Sequence, residues 1–292
     1  MANRRVLVKR RKAVRNIRKI TRTMQLIATA RFQATNQRAV ATKPYSDKLG
    51  ELVSDLSSAA GSADHPLMHT PTSDRSALVV ITSNRGLCGG YNANILRNAI
   101  AHLDGQAEDR QVDVHMIGKK GTGYFRFLGR EVHRSITDLA DDPRFDQIEP
   151  IANDLIQQFV AGEIDSVHVA YMAFESAGRQ FPTVMQLLPL ESPASEEEAD
   201  GAKGVGTQFD FSPEPEELLD ALLPASVRMR LFQAFMEAVV SEHVARMVAM
   251  KAATDAAGDM IKSLSRQYNR ARQTHITMEL LDIIGGVNAL EG

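Results

Sequence analysis

Two glycine-rich stretches are the places in this 292-residue chain where phosphate chemistry could be housed. Gly86-Leu-Cys-Gly-Gly and Gly118-Lys-Lys-Gly-Thr-Gly each follow an apolar run and precede a helical pattern. In that setting backbone N–H groups and a helix N-terminus can hold an anion. The first does not have the Gly-x-Gly-x-x-Gly spacing of a dinucleotide loop, and the second lacks the Gly-Lys-Ser/Thr ending of a phosphate loop. No acidic residue stands in a convincing ribose position. Both stretches therefore read as tight strand-to-helix turns. Cys88, the sole cysteine, reads as a small packed residue rather than a nucleophile. The eight histidines are scattered, and none has metal-ligand spacing with a second ligand. Asp141 and Asp142 precede Pro143 and read as a turn rather than an acid–base pair. No catalytic, cofactor-binding or metal-binding residue is assigned.

The loops belong to a middle segment, 74–212, in which strands alternate with helices. Ser76–Thr82, Val112–Gly118, Ser166–Phe174 and Pro182–Leu190 are strand-like apolar runs. Helical patterns cover Asn92–Leu103, Lys119–Leu128 and Ile148–Ala161. This alternation predicts an open α/β sheet of Rossmann type. Residues 191–206 are rich in Ser, Pro, Gly and Glu, the composition of a solvated acidic loop, and Phe209–Ser212 reads as a short strand.

Each end of the chain reads as a long helix. Residues 213–292 contain one breaker well inside the helical pattern, Pro224, and a helix of ~70 residues at ~1.5 Å each would be about 100 Å long. Arg228, Arg230, Glu237, Glu242, Arg246 and Lys251 exclude a membrane span there. A coiled-coil partner is the natural requirement. Ala245, Ala249, Ala252 and Ala256 mark a candidate seam of small side chains, continued by Tyr268, Ala271, His275 and Met278. In residues 1–60 the first acid is Asp47, and every charge before it is basic. Ala13, Ile17, Ile20, Met24 and Ile27 repeat at four-three spacing, a heptad seam, with a kink expected near Pro44. The two seams predict an antiparallel hairpin of the terminal helices. The longer C-terminal helix leaves Leu280–Leu290 as an apolar end without a mate, which calls for a socket.

Net charge is −2 and the isoelectric point is near 6.5, so the chain is not a polycation. One cysteine permits no internal disulfide and suits a reducing compartment. Met1-Ala-Asn-Arg-Arg does not open a secretory signal. The basic helix fits a transit peptide, a nucleic-acid arm or a face for an acidic protein partner. The sustained seam argues against the first, and the scarcity of aromatics against the second. One-signed charge along many turns repels itself, which favours the acidic partner. A Rossmann-type nucleotide-binding enzyme and an RNA-binding protein with a basic coiled-coil arm remain the alternatives.

Arg18-Lys-Ile-Thr-Arg-Thr-Met, Ser83-Asn-Arg-Gly-Leu-Cys-Gly-Gly-Tyr-Asn, Ile117-Gly-Lys-Lys-Gly, Arg246-Met-Val-Ala-Met-Lys-Ala-Ala-Thr-Asp-Ala-Ala, Tyr268-Asn-Arg-Ala-Arg-Gln and Ile276-Thr are similar, in this order, to the γ subunit of F-type ATP synthases. The likeness spans nearly the whole chain. It implies a non-catalytic rotor shaft whose terminal helices sit inside a ring of three α and three β subunits. The α/β domain would be a foot that meets the ε subunit and the c ring. Nucleotides would bind α and β, and the chain would have no nucleic-acid partner and no inserted membrane segment. The implied location is the cytoplasmic face of a bacterial plasma membrane, as a peripheral subunit. By the same resemblance, Arg22 and Met24 face an acidic β loop, and Arg246, Gln273 and Thr277 touch the α/β ring. Leu280 and Ile284 belong to an end held in an apolar sleeve. At the foot, Phe211 and Glu214 face the c ring: Phe211 is followed by Ser212-Pro213 where the family often has Glu-Pro, so the charged contact passes to Glu214. The cysteine pair of the plant plastid type is missing, which argues against thiol switching.

Overall fold

The computed structural model describes residues 4–59, 65–106, 110–139, 141–190 and 215–291. The 191–206 loop, the expected strand at Phe209–Ser212, and Phe211 and Glu214 lie outside the described residues. The chain divides into two units, one of residues 30–245 and one of residues 1–29 with 246–292.

Residues 30–245 are built on five strands. β1 (Arg75–Ile81), β2 (Gln111–Ile117), β3 (Arg134–Ile136), β4 (Ser166–Ser176) and β5 (Arg179–Leu188) lie in the order β3-β2-β1-β4-β5. The first four are parallel, and β5 turns back antiparallel to β4. The expected α/β sheet is present, with two details the sequence did not predict: the edge strand β3 and the reversed direction of β5. β1 is buried from Ser76 to Ile81, as befits a central parallel strand covered on both faces. Its alternation assigns the two layers. Ala77, Val79 and Ile81 pack with Ile148, Leu155 and Phe159 of α4 (Phe145–Val160), and with Leu223, Leu231 and Phe235 of the final helix. Leu78 and Val80 pack with Tyr91, Ile95 and Ala99 of α2 (Tyr91–Asp104) and Phe125 of α3 (Lys119–Phe127).

The terminal helices are α1 (Arg4–Ala59) and α5 (Pro215–Glu291), and each passes through an internal proline, Pro44 and Pro224. Pro215 stands at the start of α5, where its missing N–H costs no helical bond. Within residues 30–245, α1 buries Thr35, Ala39, Leu49 and Leu56. Asp141 and Asp142, expected as a plain turn, instead anchor this helix: Arg31 pairs with Asp141, and Arg38 with Asp142 at 2.5 Å.

In the other unit the two helices pair antiparallel. Arg11 lies over the Tyr268 ring at 5.0 Å, Arg18 flanks Gly258, and the Thr254 hydroxyl donates to that of Thr21 at 2.8 Å. Numbers rise along α1 as they fall along α5. The faces differ from those expected. On α1 the buried line is Leu7, Val14, Thr21 and Ala28, spaced by seven. Ile17, Ile20 and Ile27 are 52%, 60% and 51% exposed. The expected seam is thus rotated about 100°, one residue's turn, from the packed one. On α5 the packed line is Met250, Thr254, Ala257, Ile261, Leu264, Tyr268 and Ala271, at four-three spacing. Ala252 and Ala256 are exposed, again one residue out of phase, and the seam stops before His275 and Met278. The rotation is set by side chains that hydrophobic periodicity does not register, the Thr21–Thr254 hydroxyl pair and Arg11 over Tyr268, with Leu7, Val14, Ile261 and Leu264 packed along the same line.

Candidate functional site

In an open α/β sheet a ligand sits beyond the carboxyl ends of the strands, where strand order reverses. Here that rim lies at β1 and β4, and its polar groups are already engaged. At the start of α3 the Lys119 N–H donates to Asn84 Oδ1 (3.1 Å), Lys120 N–H to the Ser83 carbonyl (3.1 Å), and Gly121 N–H to Thr82 Oγ1 (3.0 Å). The amides that would cradle a phosphate bind the β1–α2 loop instead. Gly118 has φ +91°, and a Cβ there would fall 2.3 Å from the Thr82 carbonyl oxygen. A Cβ on Gly121 would fall 2.3 Å from Met116 Sδ. These glycines exist for close approach of helix to strand. In the other loop, Ser83 N–H donates to Asn92 Oδ1 (3.0 Å), and the Asn92 amide lies 3.2 Å from the sulfur of buried Cys88. The Tyr91 hydroxyl donates to the Ala238 carbonyl of α5 at 3.0 Å, so α5 covers this edge. The cavity left between Thr82, Tyr91, Gly118 and Phe235 holds about 30 Å³. Small-molecule pockets run to roughly 300–1,000 Å³, so this cavity is water-sized, while the groove beside it, lined by Arg31, Arg85, Asp141 and His243, opens to about 510 Å³. Among the described residues no three His, Cys, Asp or Glu side chains are placed to share a metal ion.

The titratable groups of the sheet are packed rather than poised. Burial, then His102 and Arg110, pushes His168 down to about 4, with the two imidazoles 4.7 Å apart. Burial lowers His115 too, followed by the charge of His133. Burial and then Glu237 push the Tyr171 hydroxyl up to about 12.

What the helical hairpin offers is surface. Ile17, Ile20, Leu26 and Ile27 on α1, and Val248, Met260, Ile276 and Met278 on α5, are each at least half exposed. The end of α5 exposes Leu280, Leu281, Ile283, Ile284 and Val287 as well. So many open apolar side chains on one small unit mark an interaction surface. Arg4, Arg5, Arg270, His275, Glu279 and Asp282 line a groove of about 910 Å³ where α1 begins.

A family profile described as ATP synthase matches residues 3–290. An ATP synthase gamma chain of Rhodopirellula baltica is 44% identical over 296 aligned positions, covering 100% of both chains. One from Frankia casuarinae is 40% identical, over 97% of this chain and 96% of its own. The chain belongs to the ATP synthase gamma chain family. Solved structures agree in fold: the rotor of the Euglena gracilis mitochondrial ATP synthase superposes with TM-score 0.61 at 17% identity, over 94% of this chain and 98% of that one. The central stalk and c ring of the Tetrahymena thermophila mitochondrial enzyme gives 0.58 at 21%, over 80% and 99%.

For a gamma chain, the residues singled out from sequence fall in three settings. Gln273, Thr277, Leu280 and Ile284 recur at four, three and four along α5, so they share one helix face, and all are exposed. The Thr277 hydroxyl bonds back to the Gln273 carbonyl at 3.0 Å, which leaves the face open. On α1, Arg22 is exposed and donates to Gln25 Oε1 (3.1 Å), while Met24 is half-buried. Arg246 stands apart, because it is 9% exposed and presents little surface. Sequence reasoning missed Asp141 and Asp142 as anchors of the basic helix. The only local signal was the seven-residue spacing of Arg31 and Arg38, which puts both on one face.

Proposed function

We propose that this chain is the rotor shaft of an ATP synthase and carries no catalytic site of its own. Kinship along the full length of curated gamma chains supports this reading, together with the unmated apolar stripe at the end of α5. In this role the shaft turns inside a ring of three α and three β subunits, which hold the nucleotides. Residues of the outer hairpin face, Arg22, Met24, Gln273 and Thr277, meet that ring, and Leu280 and Ile284 enter its apolar sleeve. Arg246 contributes to the ring contact through the helix it helps to pack. Phe211 and Glu214 face the c ring, with the ε subunit alongside. The complex stands on the cytoplasmic face of a bacterial membrane. No helix among the described residues is long and apolar enough to cross one.

The mechanism follows from asymmetry. The shaft has an α1 side and an α5 side with different side chains, so three chemically identical β subunits meet three different surfaces at any moment. A contact that favours one β conformer over another shifts that subunit's population, and its nucleotide affinity with it. A shaft touching all three alike would shift nothing. Rotation therefore passes each site through the affinities in turn.

Purification of the tagged chain from native membranes should recover one copy against three α and three β. Recovery as a free monomer or a homodimer would overturn the reading. Met24→Lys adds a cation where an acidic β loop is expected. Hydrolysis should survive while ions pumped per ATP fall severalfold, and an unchanged ratio would remove Met24 from that contact.

A further inference from the structure

β4 is longer than its neighbour. Its pairing with β1 ends at Val80↔Ala170, so among the described residues the strand beyond Ala170 has no β-partner on that side. An open sheet edge of this kind must find partners. One turn of α5 supplies them. The Ser241 hydroxyl donates to the Met172 carbonyl at 3.3 Å, and the Phe174 N–H donates to Glu237 Oε2 at 3.4 Å. Gln233 holds the other Glu237 oxygen at 3.1 Å. Glu237 and Ser241 are four apart and share a helix face. One residue further round, the Ala238 carbonyl accepts from the Tyr91 hydroxyl at 3.0 Å.

We propose that the Glu237–Ser241 turn, keyed into the open edge of β4 and tied by Tyr91, is the joint through which the α/β domain drives α5 in rotation. The proposal rests on the rotor reading above. Apolar contact is non-directional and resists separation more than turning. Hydrogen bonds to backbone groups fixed in a sheet are directional. Here they grip the helix from two azimuths about 100° apart, which fixes both its rotation and its height. Glu237, Ser241 and Tyr91 are positioning residues, since they touch no nucleotide.

The test uses the assembled complex in vesicles. Ser241→Ala combined with Glu237→Met removes both side-chain keys while keeping the bulk. Ser241→Thr with Glu237→Gln keeps a hydroxyl donor and a carbonyl acceptor. The first pair should leave ATP hydrolysis unchanged and lower ion pumping per ATP severalfold, and the second should restore the ratio. An unchanged ratio overturns the proposal, as does an equal fall of hydrolysis and pumping together. If the double variant does not assemble, Ser241→Ala alone is judged by the same ratio. Failure of the wild-type chain to co-purify with α and β would instead sink the rotor reading.

Discussion

Replacing Val14 with alanine should loosen the helical hairpin more than replacing Ile20, although isoleucine is the larger and more apolar side chain. Val14 is 9% exposed and packs in the cluster of Leu7, Ala257 and Leu264. Its replacement deletes two methyl groups, worth about 0.8 kcal/mol each when buried; the gap left behind brings the loss to about 2 kcal/mol, of which alanine's better helix propensity returns about 0.5, leaving roughly 1.5. Ile20 is 60% exposed, so the three carbons lost there carry less than half of their burial value. That is about 1 kcal/mol, and alanine's better helix propensity returns about 0.4, leaving roughly 0.5. The two variants should differ by about 1 kcal/mol, roughly fivefold in the opening equilibrium.

The two units of the chain can open separately, so a single unfolding midpoint would blur the contrast. Amide exchange across 7–28 and 250–271 reads the hairpin directly. Protection there should drop about fivefold further in Val14→Ala than in Ile20→Ala. Equal losses, or a larger loss for Ile20, would mean that the isoleucine line is the packed seam, and the assignment of faces would be wrong.

Gly121→Ala places a Cβ 2.3 Å from Met116 Sδ and 2.7 Å from Thr82 Oγ1, and overpacking of this kind costs about 1–3 kcal/mol. Gly123→Ala, with nothing within 4 Å, should be neutral or slightly stabilising by thermal melting. ATP or NAD should not shift the melt of the unsubstituted chain, because the amides at the rim are already bonded within the protein; a concentration-dependent rise would restore the nucleotide reading. His168 makes the chain acid-sensitive. Its folded value of about 4 lies below the ordinary 6.5, so its contribution is complete above pH 6.5 and lost as pH falls towards 4, where the unfolded chain takes up the proton first. His168→Gln should flatten the stability profile over that window, and an unaltered slope would assign the sensitivity elsewhere.

The parts of the fold legible in the sequence are those whose burial is decided locally. β1 is a continuous apolar run from Ala77 to Ile81 because helices cover both faces of the sheet, and β2 and β4 are apolar at most positions. β3 was not legible, since Arg134-Ser135-Ile136 has no apolar run and is a strand only because β2 offers it an edge. The pairing of Asp141 and Asp142 with α1 was hidden for the same reason: each partner lies more than a hundred residues away. The stripe from Gln273 to Ile284 came from the resemblance, because half of its residues are polar and no hydrophobic period marks it.

The misread seam has a different cause. Hydrophobicity selected Ile17, Ile20 and Ile27, yet the chain buries Thr21 against Thr254, and Ala28 on the same line. A free-standing hairpin built for its own stability would have these reversed. An apolar side chain left half open loses most of its burial energy in the isolated chain and recovers it only against another surface. On α1 the apolar four-three period therefore marks the outer face of the hairpin, whereas on α5 the packed line carries Met250, Ile261 and Leu264 while Ala252 and Ala256 stay outside. The exposed isoleucine line is an apolar surface, and periodicity alone does not say which of two surfaces a helix turns towards its partner in the hairpin.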